Sequence, residues 1–548
     1  MSRPLKVALL QLRAFDLGEH ATAWGELLQR VDEAGAAEPR LIVLPEASYP
    51  AYFLHSRAAY ERAGVRPDAE VEGELGERAA RFGCYIAAGL VSRRPDPRDA
   101  TGTALHNACV LFGPDGHVAG RYTKSFLWHF DRDWFTAGTE YPVFDIDGAA
   151  AGLLVCADGR LPEITRSFAV AGARLIVDCT AWVSWARERA LLSSAQIDYI
   201  MPARAIENGA WVVAADKVGV EAGSIVYAGR SGVIDPAGRW VAQAPADRDG
   251  LLTCTIDLDA AGGPPVERRP HLYAGAATPG QRSRAAALAR EPLVAEDAAA
   301  RVGAVALAPA HSAVALMQRA RTIVRALAAQ GTALVVLPDL AGLDARAVTK
   351  WEALPLFAEL SAERGTLLTV QLAERSNGRT FKTAYLLLGG ELLVAHRQTH
   401  LSEAELRAGF SPGDEPPPVV ETTVGNVGLL AGSEGLVPEL ARSLKWRGAE
   451  VIAWSAGALA APLRTLARTR ANENRAYVIA AGTPSAQDGA YVIDPSGAVL
   501  GETLAGEEMA TAADLNRVLA RWNDMAPGTN PVRDRPPGAF ESLFAARP

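Results

Sequence analysis

Short apolar runs alternate with amphipathic stretches along the whole chain. Lys6-Val7-Ala8-Leu9-Leu10-Gln11 predicts a strand, His20 to Gly35 carries an apolar stripe at helical spacing, and Leu41 to Leu44 predicts a second, buried strand. Ala79 to Gly83 closes a helix ahead of the apolar strand Cys84 to Gly89. Asn107 to Phe112 and His117 to Tyr122 make a hairpin around the turn Pro114-Asp115-Gly116. Further on, Gly152 to Val155 and Leu175 to Cys179 predict strands, Glu188 to Asn208 a long helix, and Trp211 to Ala215 another strand. From Gly262 to about Ala299, Pro264-Pro265 and Pro279-Gly280 break any regular element, so this stretch predicts a linker, after which Val302 to Leu307 restarts the pattern.

What restarts is a second copy of the first half. Leu337-Pro338-Asp339 matches Leu44-Pro45-Glu46, and His396 to His400 matches the neighbourhood of Arg121 to Lys124. Leu429 to Glu439 matches the segment around Cys156, Arg470 to Asn474 matches Arg204 to Asn208, and Ile493 to Gly497 matches Ile234 to Gly238. A tandem duplication with a period of roughly half the chain is expected, and not a short-period solenoid. The expected domains are 1–275 and 301–548, with 276–300 between them.

Composition agrees. A chain of 548 residues, 49% hydrophobic and 22% charged, is too long for one ordinary core and suits two soluble domains. Five cysteines, all in the first half and none in a Cys-x-x-Cys pair, give no disulfide framework and no structural zinc site. A net charge of −8 leaves no basic footprint, so nucleic acid is not an expected partner. No stretch approaches the roughly 20 apolar residues that span a bilayer. The short run between Lys6 and Arg13 reads as a first strand and not as a signal core. A cytoplasmic protein without membrane association is expected.

Three ionisable side chains stand where apolar or β-rich strands end. Glu46 follows Leu41-Ile42-Val43-Leu44-Pro45, Lys124 follows Gly120-Arg121-Tyr122-Thr123, and Cys156 follows Gly152-Leu153-Leu154-Val155 just before a helical pattern. A carboxylate placed directly after a buried strand is costly without a use. A cysteine at a strand-to-helix junction feels the positive end of the helix dipole, which favours its thiolate. Cys84, Cys109, Cys179 and Cys254 have no such setting and read as structural. The pair His129 and Asp131 has no third ligand at a recognisable spacing, so no metal is expected.

The ordered set LPEASYP around Glu46, GRYTKSFLW around Lys124 and LLVCADGRLPE around Cys156 resembles the nitrilase, or carbon–nitrogen hydrolase, superfamily. The resemblance implies an α/β fold of two tandem four-layer αββα sandwich domains, packed as an intramolecular pseudo-dimer with further homo-oligomerisation open. It also implies a Glu46-Lys124-Cys156 triad that needs no cofactor. Glu46 would act as base and acid, Lys124 and the Ala157 N–H would bind the oxyanion, and Asp131 would stand, one methylene short, for the family's second glutamate. Ala157 replaces the tryptophan that usually follows the nucleophile in true nitrilases, so a small-molecule amide or N-carbamoyl substrate is favoured over a nitrile. Arg160 is placed either to bind a substrate carboxylate, as in carbamoyl amino-acid hydrolases, or to tie the helix start to Glu163 or Asp158. Trp128, His129, Trp182 and Trp185 are candidate pocket walls.

The second copy has Asp339, Gln398 and Gly432 where the first has Glu46, Lys124 and Cys156. Glycine has no nucleophile and glutamine no charge, so this copy is expected to have lost the chemistry. Two other readings of the whole chain stay open: a true nitrilase, and an inactive binding or scaffold protein of the same fold.

Overall fold

In the computed structural model, which describes residues 3–97, 99, 102–293, 298–309, 313–342, 353–363, 365–538 and 543–544, the first apolar run forms the strand Pro4–Arg13. It pairs in parallel with Leu41–Val43 and antiparallel with Gly250–Asp257, the last strand of the first copy. From there the sheet continues in one direction through Tyr85–Pro95, Thr103–Phe112 and Val118–Thr123, and in the other through Lys217–Glu221 and Ile225–Ala228. A second sheet of six strands runs in the order Trp240–Gln243, Gly232–Ile234, Trp211–Ala215, Leu175–Cys179, Ala149–Val155 and Val143–Ile146.

The two-residue period of the strands decides the layering. Ala8, Leu10, Ile42, Ile86 and Ala88 point outward, onto Trp24, Leu27 and Val31 of the helix His20–Gly35 and Val71 and Leu75 of the helix Asp68–Phe82. Their alternates Val7, Leu9, Val43 and Ala87 are also fully buried, because the other face is covered by the second sheet. The helices Pro162–Val170 and Met201–Asn208 pack on the far side of that second sheet. The result is a four-layer αββα sandwich.

The second copy repeats this plan with two six-stranded sheets. Val302, Val336, Leu429, Ala453 and Ile479 fill the space between them, while Leu316, Val324, Leu327, Phe357 and Leu360 seal one outer face. Contacts divide the chain into one unit of Met1–Pro264, Ala526–Thr529 and Pro536–Leu543, and another of Pro265–Met525, Asn530–Arg535 and Phe544–Pro548. The stretch set apart as a linker carries the short helices Ala274–Ala277 and Arg284–Leu288, which pack within the second unit; for instance, Trp446 Nε1 donates to the Thr278 carbonyl at 2.8 Å. Residues 294–297 of that stretch lie outside the described ones.

One buried polar network occurs in both units. Arg204 is fully buried, pairs with Glu207 at 2.6 Å and donates through Nε to the Gly159 carbonyl at 2.8 Å, while Arg166 caps the Glu207 carbonyl at 2.9 Å. In the second unit Arg470 pairs with Glu473 at 2.6 Å and donates to Gly435 at 2.9 Å, and Arg442 caps the Glu473 carbonyl at 2.7 Å. Since the second copy keeps this network without a cysteine, the network serves the architecture of the junction and not its chemistry.

The expected helix Glu188–Asn208 is only partly formed. The chain makes a 3-10 turn at Arg189–Leu191, a π-helical turn at Gln196–Ile200 and a regular helix only over Met201–Asn208. Pro202 has no N–H to give the preceding turn, and the wider π turn absorbs it. Upstream, Glu188 to Leu191 are exposed and present no apolar face for a helix to bury. Among the described residues no helix is long and apolar enough to cross a membrane.

Candidate active site

Glu46 leaves the strand Leu41–Val43 where the backbone of Pro45 and Glu46 crosses Gly89 closely enough that a Cβ there would lie 2.1 Å from the Pro45 carbonyl oxygen. Only glycine permits that approach. The Glu46 carboxylate is completely buried; its Oε1 accepts from Lys124 Nζ at 2.7 Å and from Asn107 Nδ2 at 2.6 Å, and its Oε2 has no partner among the described residues. Lys124, at the exit of Val118–Thr123, donates also to Asp131 Oδ2 at 2.6 Å. Asp131 therefore reaches the lysine despite its shorter side chain. Its Oδ2 accepts in addition from the Trp128 N–H at 2.9 Å, and its Oδ1 is left without a partner.

Cys156 follows the strand Ala149–Val155 with φ +48°, a left-handed backbone rarely adopted by non-glycine residues and costing on the order of 1–3 kcal/mol unless its surroundings enforce it. Asp158 supplies much of that enforcement. It accepts from Tyr122 OH at 2.9 Å, Phe126 N at 2.8 Å and Ser125 N at 3.1 Å, and burial pushes its carboxyl up to about 6. The Cys156 N–H donates to Asp178 Oδ1 at 2.9 Å, and its carbonyl accepts from Gln196 Nε2 at 2.8 Å.

The electrostatics differ from the expectation of a dipole-stabilised thiolate. Burial pushes the Cys156 thiol well above its ordinary range, Glu46 adds to this, and Lys124 opposes it without prevailing. The helix expected to face the cysteine starts only at Pro162, after a 3-10 turn over Cys156–Arg160, and the cysteine's own N–H is spent on a carboxylate. Burial thus works against the resting thiolate. Burial likewise raises Glu46, against the pull of Lys124, which leaves it a better proton acceptor than an ordinary glutamate. For Lys124 burial works against the charge, but Asp131 and Glu46 outweigh it and hold the ammonium well above its usual range.

A cavity of about 230 Å³ opens at Cys156. Trp128, His129 and Trp185, three of the four candidate walls, line it together with Ala157 and Arg160. Trp182 does not: it is fully buried, with its ring edge-on to Trp240 at 6.5 Å. Glu46, Lys124 and Asp131 are also absent from the lining, so Cys156 is the one member of the buried set that the cavity reaches. The Arg160 guanidinium lies over the Trp128 ring, 4.3 Å from its centre, and has no carboxylate or hydrogen-bond partner among the described residues. Tethering to Glu163 or Asp158 is therefore not its arrangement.

Asn107, Asp178, Gln196 and Tyr52 belong to the site and were missed in the sequence. Asp178 did leave a signal, being a carboxylate inside an otherwise apolar strand; Asn107, beside His106 in its strand, left a weaker one, and Gln196 and Tyr52 left none.

In the second unit Asp339, Gln398 and Gly432 occupy the matching places, and the lysine lost at Gln398 is replaced from a neighbouring strand. Lys124 N donates to the Asn107 carbonyl and Gln398 N to the Lys382 carbonyl, both at 2.8 Å, so Lys382 sits where Asn107 does. Its ammonium binds Asp339 at 2.6 Å and Glu405 at 3.1 Å. The expectation that this copy has no central cation is corrected: the charge is present but has moved one strand. Gly432 keeps the cysteine's φ of +48°, yet a Cβ there would lie 2.4 Å from Gln398 Oε1. Trp454, in the register position of Asp178, donates to the Gly432 carbonyl at 2.9 Å.

A family model described as carbon–nitrogen hydrolase matches residues 6–263 and again 301–522. Among curated proteins, the chain is 29% identical over 256 residues to a nitrilase of Pyrococcus abyssi, covering 46% of this chain and 90% of that one. It is 30% identical over 256 residues to a hydrolase encoded in the pqqF 5' region of Pseudomonas protegens, covering 45% and 84%. With the 2-oxoglutaramate amidase of Bacillus subtilis it shares 26% identity over 223 residues, covering 40% and 78%.

Proposed function

The chain belongs to the carbon–nitrogen hydrolase family, which makes it a hydrolase of C–N bonds other than peptide bonds, and from that premise we propose that its first unit cleaves an amide or N-carbamoyl group through a thioester on Cys156. The observation that carries this reading is a fully buried Lys124 ammonium held between Glu46 and Asp131, beside a cysteine that alone of the four opens on a cavity.

The unpartnered Glu46 Oε2 takes the thiol proton as Cys156 Sγ bonds to the substrate carbonyl carbon. The developing oxyanion is met by Lys124 and by the N–H of Ala157, which lies in the first turn of a helix and has no intrahelical acceptor. Glu46 then returns the proton to the leaving nitrogen, the C–N bond breaks, and ammonia or amine departs. Water attacks the thioester, gives its proton to the same carboxylate, and releases the acid and the thiol. Asp131 holds Lys124 through Oδ2 and offers Oδ1 to the substrate N–H.

Arg160 supports a substrate that carries a carboxylate as well as the scissile group, such as an N-carbamoyl amino acid or the monoamide of a dicarboxylic acid. 2-Oxoglutaramate, named for the Bacillus subtilis relative, has that chemistry. The second copy, which retains the helices Pro438–Trp446 and Leu463–Asn474 but no cysteine, fits a packing role in place of a second subunit.

Ammonia release from simple amides, N-carbamoyl amino acids, dicarboxylic monoamides and nitriles tests the reading. Turnover of the first three classes, abolished in a folded Cys156→Ala protein, is expected. Arg160→Ala should raise KM about 10-fold or more for carboxylate-bearing substrates and leave neutral amides unchanged. Turnover of nitriles alone, or undiminished turnover in Cys156→Ala, would overturn it.

A further inference from the structure

Two residues lining the cavity come from the far end of the chain. Ala526 and Pro527 belong to a four-residue turn, Ala526–Thr529, that lies in the first unit although the rest of the cavity wall comes from between Tyr52 and Ile225. The turn is well specified. Pro527 occupies its second position, Gly528 has φ +74° at the third, and Thr529 N donates to the Ala526 carbonyl at 2.9 Å, the pattern of a type II turn. Thr529 is completely buried, and its Oγ1 accepts from the backbone N–H of His129 at 2.7 Å.

His129 has φ +46° and also lines the cavity, so it is a non-glycine residue held in a left-handed conformation at the wall. It opens the 3-10 turn His129–Asp133 that carries Asp131. The Thr529 hydroxyl thus anchors the backbone two residues before the carboxylate that holds Lys124. The side chains the turn gives to the cavity are small and apolar, next to Val183 and Ile225.

We propose that Ala526–Thr529 is a specificity-determining wall of the Cys156 cavity. Ala526 and Pro527 limit the size of the apolar part of the substrate, and Thr529 is a positioning residue that acts through His129. The substrate statement rests on the activity proposed above; the placement of the wall does not. A small residue at 526 leaves room for a substrate group beyond the scissile bond, and a bulky one would fill that room. One methylene more or less in an apolar pocket already changes discrimination by about 10- to 200-fold.

The test uses the full chain carrying Ala526→Trp, and follows labelling of Cys156 by iodoacetamide and by the bulkier N-phenylmaleimide through peptide mass mapping. Cys254, half-buried on the strand Gly250–Asp257, serves as internal reference. N-phenylmaleimide addition at Cys156 should slow about 10-fold or more, with iodoacetamide at Cys156 and both reagents at Cys254 nearly unchanged. On substrates, kcat/KM should shift by a similar factor toward short acyl groups. Thr529→Val, with Thr529→Ser as the conservative rescue, is read in the same way and decides the matter if Ala526→Trp does not fold; it should change the ratio of the two labelling rates, and Thr529→Ser should restore it. Unchanged ratios in the folded variants overturn the proposal. If the wild-type protein hydrolyses none of the panel while Ala526→Trp still excludes the maleimide, the wall stands and the activity fails. If the panel is hydrolysed with unaltered size preference, the wall fails and the activity stands.

Discussion

A single lysine carries most of the electrostatic design of the first site. Lys124 is fully buried with two carboxylates within hydrogen-bond distance, so its removal leaves Glu46 and Asp131 facing each other without a counter-charge. Breaking a buried pair costs about 3–5 kcal/mol, and losing an oxyanion donor costs about 100-fold or more in kcat. Lys124→Gln, the residue the second copy has at that place, should therefore lower both the melting temperature and kcat; near-normal kcat on the best substrate would reject the oxyanion role. The raised Glu46 pKa sets the pH dependence. Catalysis needs Glu46 ionised, so activity is present above its pKa and lost as pH falls through it. Because burial raises that pKa, the acid limb of kcat/KM should lie above the ordinary glutamate value of about 4.3. Asp131 contributes to the rise, so Asp131→Asn should move the limb to lower pH. A wild-type limb at or below the ordinary value contradicts this assignment.

At the scale of elements, the strand-to-helix junction is the same object in both units, and only its contents differ. The clamp of Asp158 by Tyr122, Ser125 and Phe126 has a counterpart in Glu434, which accepts from His396 at 2.9 Å and from Thr399 N and Oγ1 at 2.7 Å each. A left-handed residue sits at the apex of each, cysteine in one and glycine in the other. Restoring a thiol at the second apex should therefore not restore a site. Gly432→Cys places a Cβ into Gln398 at a strained φ, and overpacking of this kind costs about 1–3 kcal/mol. Cys156→Ala/Gly432→Cys should be inactive and melt below Cys156→Ala; ammonia release by the double variant would show the second site to be more open than its packing implies.

For the whole molecule, the first unit is not a contiguous stretch of chain. It includes Ala526–Thr529 and Pro536–Leu543, and the former lines its cavity. A fragment of residues 1–264 lacks part of its own unit. It should be poorly soluble or weakly active and lose selectivity among acyl groups before it loses the chemistry of the buried triad. Sedimentation and kcat/KM on the amide panel check this, and a soluble fragment with full kcat/KM would show that the returning segments are dispensable.

The strand pattern, the duplication and the order Glu46, Lys124, Cys156 could all be read from the residues alone, because each depends on local periodicity or on which side chain ends a strand. The four-layer sandwich was implied by the resemblance of the three motifs to the carbon–nitrogen hydrolases, and strands such as Leu41–Leu44, apolar on both faces, agree with it because they need a layer on each side. Four things only the folded molecule decided. Whether Asp131 reaches Lys124 depends on where its 3-10 turn sits and not on side-chain length, and the turn delivers it to 2.6 Å. Lys382 replaced the missing cation from an adjacent strand, a substitution invisible to any alignment of the motif positions, because neighbours across a sheet are distant in sequence. The upward push on the Cys156 thiol and the place of Ala526–Thr529 at the cavity depend on burial and on contacts between residues hundreds of positions apart, quantities that no local pattern encodes.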